Sequence, residues 1–366
     1  MMEWSEPSFW LPLVFLFLMG VAMLAYVLLD GYDLGVGILL RRASDPDRDR
    51  MIASIGPFWD ANETWLVLGV GILLVAFPVA HGAILGALYL PVALMLAGLI
   101  LRGVAFDFRV KAHAHHKPWW DRAFYFGSLI ATFAQGVMLG SMVTGFTHGT
   151  AETLFSLFIG LCLIAGYGLL GATWLIYKTE GELQMRAVRW ARACLWFTGV
   201  GIAAVSIATP YVSARIFEKW FTLPNFIWLA PIPLLSAVLF FTLDVMLRRL
   251  PARLEGQQGK QWAPAGDAGA AGVPIVEGRA HTAHPGRDWL PYMVSAGMFF
   301  LAFLGLAYSL FPYLVVDRLT IWQAASAPES LLVIFYGACV VLPAIVGYTI
   351  YAYRVFGGKA SDLSYD

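Results

Sequence analysis

Nine stretches of this chain are each apolar over at least twenty or so residues, and that pattern restricts what the chain can become. A helix of about 20 apolar residues spans the hydrocarbon core of a bilayer. In lipid every backbone N–H and C=O must find its partner internally, which a helix does within one segment. The runs fall at about 9–40, 51–77, 80–106, 121–146, 153–177, 188–212, 221–247, 289–312 and 328–355. Composition agrees: 59% of the 366 residues are hydrophobic and 13% charged, against roughly 45–50% and 25% in soluble domains. The expected fold is therefore an all-α, polytopic membrane protein of nine transmembrane helices.

Charge placement sets its orientation. Arg41, Arg42, Arg48 and Arg50 follow the first span, and Arg102, Arg109, Lys111, Lys117 and Arg122 surround the loop after the third. Lys178, Arg186, Arg189 and Arg192 follow the fifth, six cations from Arg248 to Arg287 follow the seventh, and Arg354 and Lys359 close the chain. Only Arg215, Lys219 and Arg318 fall on the other side. By the positive-inside rule the N-terminus is outside and the C-terminus cytoplasmic. The acidic start, Met1-Met2-Glu3-Trp4-Ser5-Glu6, lacks the basic region of a signal peptide, so the first run reads as an uncleaved span. Formal net charge is zero and no basic tail points to nucleic acid. Residues 251–287, rich in Gly, Ala, Pro and Gln, read as a flexible cytoplasmic linker. No strong internal repeat is visible, although nine spans can pack as two helical bundles plus one helix.

Acids inside the apolar runs carry the chemistry. An Asp at the centre of a membrane helix costs about 2.5–3.5 kcal/mol on insertion scales and normally faces the bundle interior or water. The first span holds Asp30 and Asp33 within Asp30-Gly31-Tyr32-Asp33-Leu34-Gly35-Val36-Gly37, and the second holds Asp60 and Glu63 within Trp59-Asp60-Ala61-Asn62-Glu63-Thr64-Trp65. The two spans are antiparallel neighbours joined by a short loop, so at about 1.5 Å per residue Asp30 and Asp60 sit roughly 15 Å from the cytoplasmic ends, at similar height. Asp33 and Glu63 lie one turn from them on the same faces. This makes a ladder of four acids, expected to form a proton path because burial and mutual repulsion tune carboxyl groups for proton exchange. The structural alternative is pairing with a cation, for which Arg102 in the third span is the candidate. Asp33, nearest the surface, fits that structural role better.

The histidines point away from a cofactor in this chain. His81, His113, His115, His116, His148, His281 and His284 all fall at span ends or in loops. A b-type haem in a membrane is held by helix-borne histidines, and the spacing of His113-Ala114-His115-His116 is not that of a zinc site. The chain is expected to bind neither haem nor metal. Cys162, Cys194 and Cys339 lie in apolar stretches and read as small buried hydrophobes.

These stretches resemble the second subunit of the cytochrome bd family of quinol oxidases. The resemblance rests on the two acidic motifs above, on Leu101-Arg102-Gly103-Val104-Ala105-Phe106-Asp107-Phe108-Arg109, on Trp174-Leu175-Ile176-Tyr177-Lys178-Thr179-Glu180-Gly181 and on Gly347-Tyr348-Thr349. The segment 173–181, with Trp220-Phe221-Thr222-Leu223-Pro224-Asn225, looks most like the cyanide-insensitive branch. The resemblance implies two four-helix bundles plus one peripheral helix. It also implies a place in a bacterial cytoplasmic (inner) membrane and a heterodimer with a haem-bearing subunit I, with or without small accessory subunits. Subunit I would hold two b-type haems, one d-type haem and the quinol site. The complex would reduce dioxygen to water with quinol and generate a proton gradient without pumping. Asp30, Asp33 and Asp60 would line the proton path, with Asp107 as a further candidate. Tyr32, Ala61 and Gln323 stand where the family often has Phe, Gly and Asp, and Gln323 is given no proton role. Two rival readings are a proton-coupled secondary transporter, which also uses acids at mid-membrane, and a purely structural scaffold for the haem subunit.

Overall fold

Helix signals punctuate the chain. Proline stands at the first or second position of α1 (Pro7–Leu39), α2 (Asp45–Ile55), α4 (Pro78–Ala87), α6 (Lys117–Val143), α12 (Leu290–Leu310) and α14 (Pro328–Val355). Its missing N–H costs nothing in a first turn, where that donor has no partner in any case. Between these lie α3 (Trp59–Ala76), α5 (Tyr89–Lys111), α7 (Thr150–Lys178), α8 (Gly181–Val212), α9 (Ala214–Phe221), α10 (Asn225–Leu229), α11 (Pro231–Gln261) and the short α13 (Ile321–Ala324). A two-stranded antiparallel hairpin, β1 (Tyr313–Val315) and β2 (Leu319–Thr320), precedes α13. The structure, a computed structural model, describes residues 6–113, 115–147, 149–261 and 287–360. Among these residues nine helical segments are long and apolar enough to cross a membrane.

The hub is α1, which packs against α3, α6, α7, α12 and α14. Helices α7, α8, α11 and α12 close a second group, each touching the next around a ring. The last helix, α14, lies against α1 and buries little of itself. Glycines at several crossings bring backbones together. A Cβ at Gly35 of α1 would lie 1.8 Å from the Tyr167 carbonyl oxygen, and one at Gly171 of α7 would lie 2.4 Å from the Gly35 carbonyl carbon. Gly98 of α5 and Gly127 of α6 meet in the same way, with added Cβ atoms 2.7–2.8 Å from the opposite backbone. Apolar surface provides no net drive between helices in lipid, so such close contact supplies the packing.

Three expectations about span limits change. The second run is not one helix: α2 ends at Ile55, Gly56 and Pro57 break it, and α3 starts at Trp59. Gly56 keeps helical backbone, but Pro57 has no N–H to continue the ladder, which is the reason for the break. Asp60 therefore lies in the first turn of α3, rather than ten residues deep in a continuous span. The third run is split at Leu88 into α4 and α5. The segment read as a linker from residue 251 begins as helix, because α11 continues through Pro251 to Gln261. Leu250 and Leu254 are buried in the main core there, and this burial offsets the roughly 3 kcal/mol that an internal proline costs. Residues 262–286, with His281 and His284, lie outside the described residues. Cys339, expected to be buried, is exposed, whereas Cys162 is buried.

At the end opposite the acids of α2, the α9 helix fastens the hairpin. The Lys219 ammonium donates to the Tyr308 and Phe311 carbonyls at 2.7 and 2.9 Å, satisfying acceptors left open at the end of α12. Burial, reinforced by Arg215 nearby, pulls this ammonium below its ordinary pKa. Arg215 pairs with Asp317 at 2.8 Å in the hairpin turn, where Asp317 has a positive φ of 54°. Partial burial alone would push the Asp317 carboxyl up, but the Ser213 hydroxyl and the Arg215 guanidinium more than offset it and hold it below the usual range. A depressed carboxyl stabilises the fold at neutral pH, and that contribution is lost as the pH falls through its folded value. Gln323, denied a proton role above, has a structural one: it completes a capping box with Thr320 that starts α13.

Candidate functional site

On α1, Tyr26, Asp30 and Asp33 follow one another at spacings of four and three residues and so share a face. That face points into the wedge between α3, α5 and α6. Asp30 is wholly buried, and its Oδ1 accepts a hydrogen bond from Arg102 Nη2 of α5 at 2.7 Å. The same nitrogen donates to Glu63 Oε2 of α3 at 2.9 Å. Arg102 is 1% exposed and lies with its guanidinium 5.9 Å from the Trp59 ring centre, whereas the Glu63 side chain is 28% exposed. One guanidinium therefore joins a fully buried carboxyl to a partly exposed one, and ties three helices at the same point.

Asp33 belongs to a second network. The amide nitrogen of Asn62 donates to Asp33 Oδ2 and to the Tyr32 hydroxyl, both at 2.8 Å. Its amide oxygen accepts from the Tyr353 hydroxyl of α14 at 3.0 Å, and the Tyr32 and Tyr353 hydroxyls are 2.6 Å apart. Tyr32 is stacked on Trp174 of α7 with ring centres 4.0 Å apart. A third network begins one turn before Asp30, where Gln135 of α6 donates to the Tyr26 hydroxyl at 2.7 Å and accepts from the Tyr167 hydroxyl at 2.8 Å.

Several buried polar atoms in this wedge have no hydrogen-bond partner among the described residues: Asp30 Oδ2, Asp33 Oδ1, Arg102 Nε and Nη1, Ser128 Oγ and Thr132 Oγ1. Native interiors rarely leave such atoms unpaired unless water or an ion serves them. Ser128, Thr132 and Gln135 repeat at four and three residues, forming a polar stripe along the α6 face that meets α1. Two carboxyls share one guanidinium here, and a third, Asp33, lies in the adjoining network held by Asn62. Chemically, the arrangement can accept, hold and release a proton at a buried carboxyl.

The expected four-acid ladder is thus only partly assembled. Asp30 and Glu63 are brought together through Arg102, and Asp33 is fully buried rather than nearest the surface. Asp60 and Asp107 are exposed, and neither forms an ion pair among the described residues. They follow Trp59 and Phe106, whose rings meet between α3 and α5 with centres 4.8 Å apart. The described histidines, His81, His113, His115 and His116, lie at helix ends, and among the described residues no group of three or more His, Cys, Asp or Glu side chains is placed to hold a metal.

A family model described as cytochrome bd terminal oxidase subunit II matches residues 11–356. The chain belongs to this family. Subunit 2 of the cytochrome bd ubiquinol oxidase of Bacillus subtilis is 28% identical over 365 residues, covering 94% of this chain and 95% of the relative. Subunit 2 of the Escherichia coli K12 cytochrome bd-I ubiquinol oxidase is 28% identical over 367 residues, covering 93% of each. The structure of the bd oxidase from Geobacillus thermodenitrificans superposes with a TM-score of 0.65 at 16% identity, over 94% of this chain and 98% of the other. At that identity the likeness concerns the fold.

As a bd oxidase subunit II, the chain is part of a membrane-embedded oxidoreductase complex that includes subunit I. Several groups of its buried site escaped the sequence reading: Asn62, Tyr32 and Tyr353 around Asp33, and Tyr26, Gln135 and Tyr167 beside Asp30. The spacing of Ser128, Thr132 and Gln135 within an apolar run was a legible signal. Nothing in the sequence could pair Tyr353 with Asn62, since they are 291 residues apart.

Proposed function

We propose that this chain is the haem-free subunit II of a bd-type quinol oxidase of the bacterial cytoplasmic membrane, and that it supplies protons from the cytoplasm for the reduction of dioxygen in subunit I. On this reading subunit I carries two b-type haems, the d-type haem and the quinol site. Quinol would be oxidised without proton pumping, and the gradient would arise because the protons of water are taken from the cytoplasm. One observation carries the proposal: Arg102 links a carboxyl at the surface of the bundle to one sealed within it. Exposure falls in steps along the acids, with Asp60 and Asp107 exposed, Glu63 at 28% and Asp30 at zero. A proton received at Asp107 or Asp60 would pass to Glu63, which lies one turn beyond Asp60 on α3. From Glu63 it would pass to Asp30 through ordered water beside the shared guanidinium, which stays charged and keeps both carboxyls in place. The unpaired oxygens of Asp30 and Asp33, with Ser128 and Thr132, offer sites for the ordered water that such transfer requires.

The scaffold reading is favoured by the same bridge, since Arg102 also clamps α1, α3 and α5. Asp30→Asn separates the two in the assembled oxidase, because the amide keeps a hydrogen-bond acceptor but cannot take up a proton in the same way. Quinol-driven oxygen uptake should fall about a hundredfold at unchanged haem content, at the low edge of what a positioned proton donor is worth (about 10²–10⁴-fold). The remaining turnover should show an increased solvent deuterium effect. Normal turnover with normal haem would leave Asp30 a packing group and favour the scaffold.

A further inference from the structure

A cavity of about 530 Å³ opens between the turn that ends α1 and the start of α6, at the end of the bundle where most cations lie. Its wall includes Leu40, Arg41, Arg48, Asp121, Arg122 and Tyr125. Three guanidiniums thus meet one carboxylate, and that carboxylate is already engaged. Asp121 accepts a hydrogen bond from Arg109 and lies 3.5 Å from Arg48, which also pairs with Asp45 at 2.8 Å. Arg41 and Arg122 are exposed and form no ion pair among the described residues. Each is instead steered by an aromatic ring, Arg41 over Tyr125 at 5.7 Å and Arg122 over Trp119 at 5.3 Å. Phe126 at the cavity wall is 47% exposed and Ile130 beyond it 38%, and their four-residue spacing makes an apolar stripe running along α6 into the span.

Two uncompensated guanidiniums below an apolar stripe match a phosphate ester that carries an acyl chain. Arginine forks suit phosphate oxygens, and basic recesses between helices at this membrane surface take anionic headgroups. We propose that this cavity binds the phosphate of an anionic glycerophospholipid, with Arg41 and Arg122 on the headgroup and Phe126 and Ile130 along an acyl chain. A zwitterionic headgroup would bring an ammonium into a site whose carboxylate is already taken. Inorganic phosphate would use the arginines but gain nothing from the stripe. The inference is independent of the proton path, since none of these residues belongs to it.

Native mass spectrometry of the delipidated, assembled oxidase, titrated with phosphatidylglycerol or phosphatidylcholine, tests it. The wild type should bind phosphatidylglycerol at least tenfold more tightly than phosphatidylcholine. The double variant Arg41→Gln/Arg122→Gln should weaken phosphatidylglycerol binding roughly 30-fold, taking each cation near a membrane surface at its usual worth. Arg189→Gln, at an exposed arginine on α8 that does not line the cavity, should leave binding unchanged. Three results would overturn the proposal. Unaltered binding by the double variant would place the lipid elsewhere, and displacement of phosphatidylglycerol by millimolar inorganic phosphate would make this a simple anion site. Loss of subunit I from the double variant would make the arginines part of a protein interface.

Discussion

Replacing Arg102 with methionine is expected to prevent accumulation of intact oxidase. The substitution preserves bulk and apolar stem but removes the cation that lies 2.7 Å from a carboxyl with no solvent exposure. Breaking one partner of a buried pair costs roughly 3–5 kcal/mol, because the remaining charge is stranded. That is a large fraction of the stability of most domains. Detergent extraction should yield little haem-loaded complex, with a melting temperature well below the wild type. Adding Asp30→Asn to Arg102→Met removes the stranded carboxyl, so the double variant should be more stable than Arg102→Met alone. A double-mutant cycle with no coupling would show that the two side chains do not depend on each other. Full recovery of stable, haem-loaded complex from Arg102→Met by itself would remove the clamp from the account of this fold.

The second large effect is expected at Gly35. A methyl group there would sit 1.8 Å from the Tyr167 carbonyl oxygen, which is backbone and cannot rotate away. Gly35→Val must therefore separate α1 from α7, and α1 is the helix that most others pack on. Overpacking commonly costs about 1–3 kcal/mol, and a clash between two helix backbones belongs at or above the top of that range. The separation would also disturb Tyr32 and Trp174, whose rings are stacked across the same α1–α7 contact. The expected result is a protein degraded or aggregated before it assembles, read as loss of full-length chain from membranes. Gly71→Ala is the control, because among the described residues nothing beyond the helix's own neighbouring backbone lies within 4 Å of the added methyl. Equal yields from the two variants would show that the α1–α7 contact is looser than its geometry.

Comparing particular residues shows how far the sequence could be read. Nine spans, the basic bias of one end and the identity of Asp30, Asp33, Glu63 and Arg102 as unusual groups were all legible. Each depends on composition within a short window or on distance along one helix. The position of Asp60 was not, because 51–77 has the length and apolar content of one continuous span. Gly56 and Pro57 signalled the break, and reading them as a break would have placed Asp60 in a first turn. Asp33 was expected near the surface from its rank along α1; the packing of Tyr32, Tyr353 and Asn62 seals it instead.

By itself the sequence determined that this chain lies in a membrane as a bundle of helices and carries acids and an arginine inside its apolar runs. Those properties follow from hydrophobic length and charge, which are additive along the chain. Only the tertiary structure decided which acid meets Arg102, that Gln135 bridges Tyr26 and Tyr167, and that Tyr353 closes the network around Asp33. Such pairings depend on the rotation of each helix about its axis and on where two backbones can approach. Rotation is set by small residues such as Gly35 and Gly171 on different helices acting together, and no window of one strand of sequence contains both.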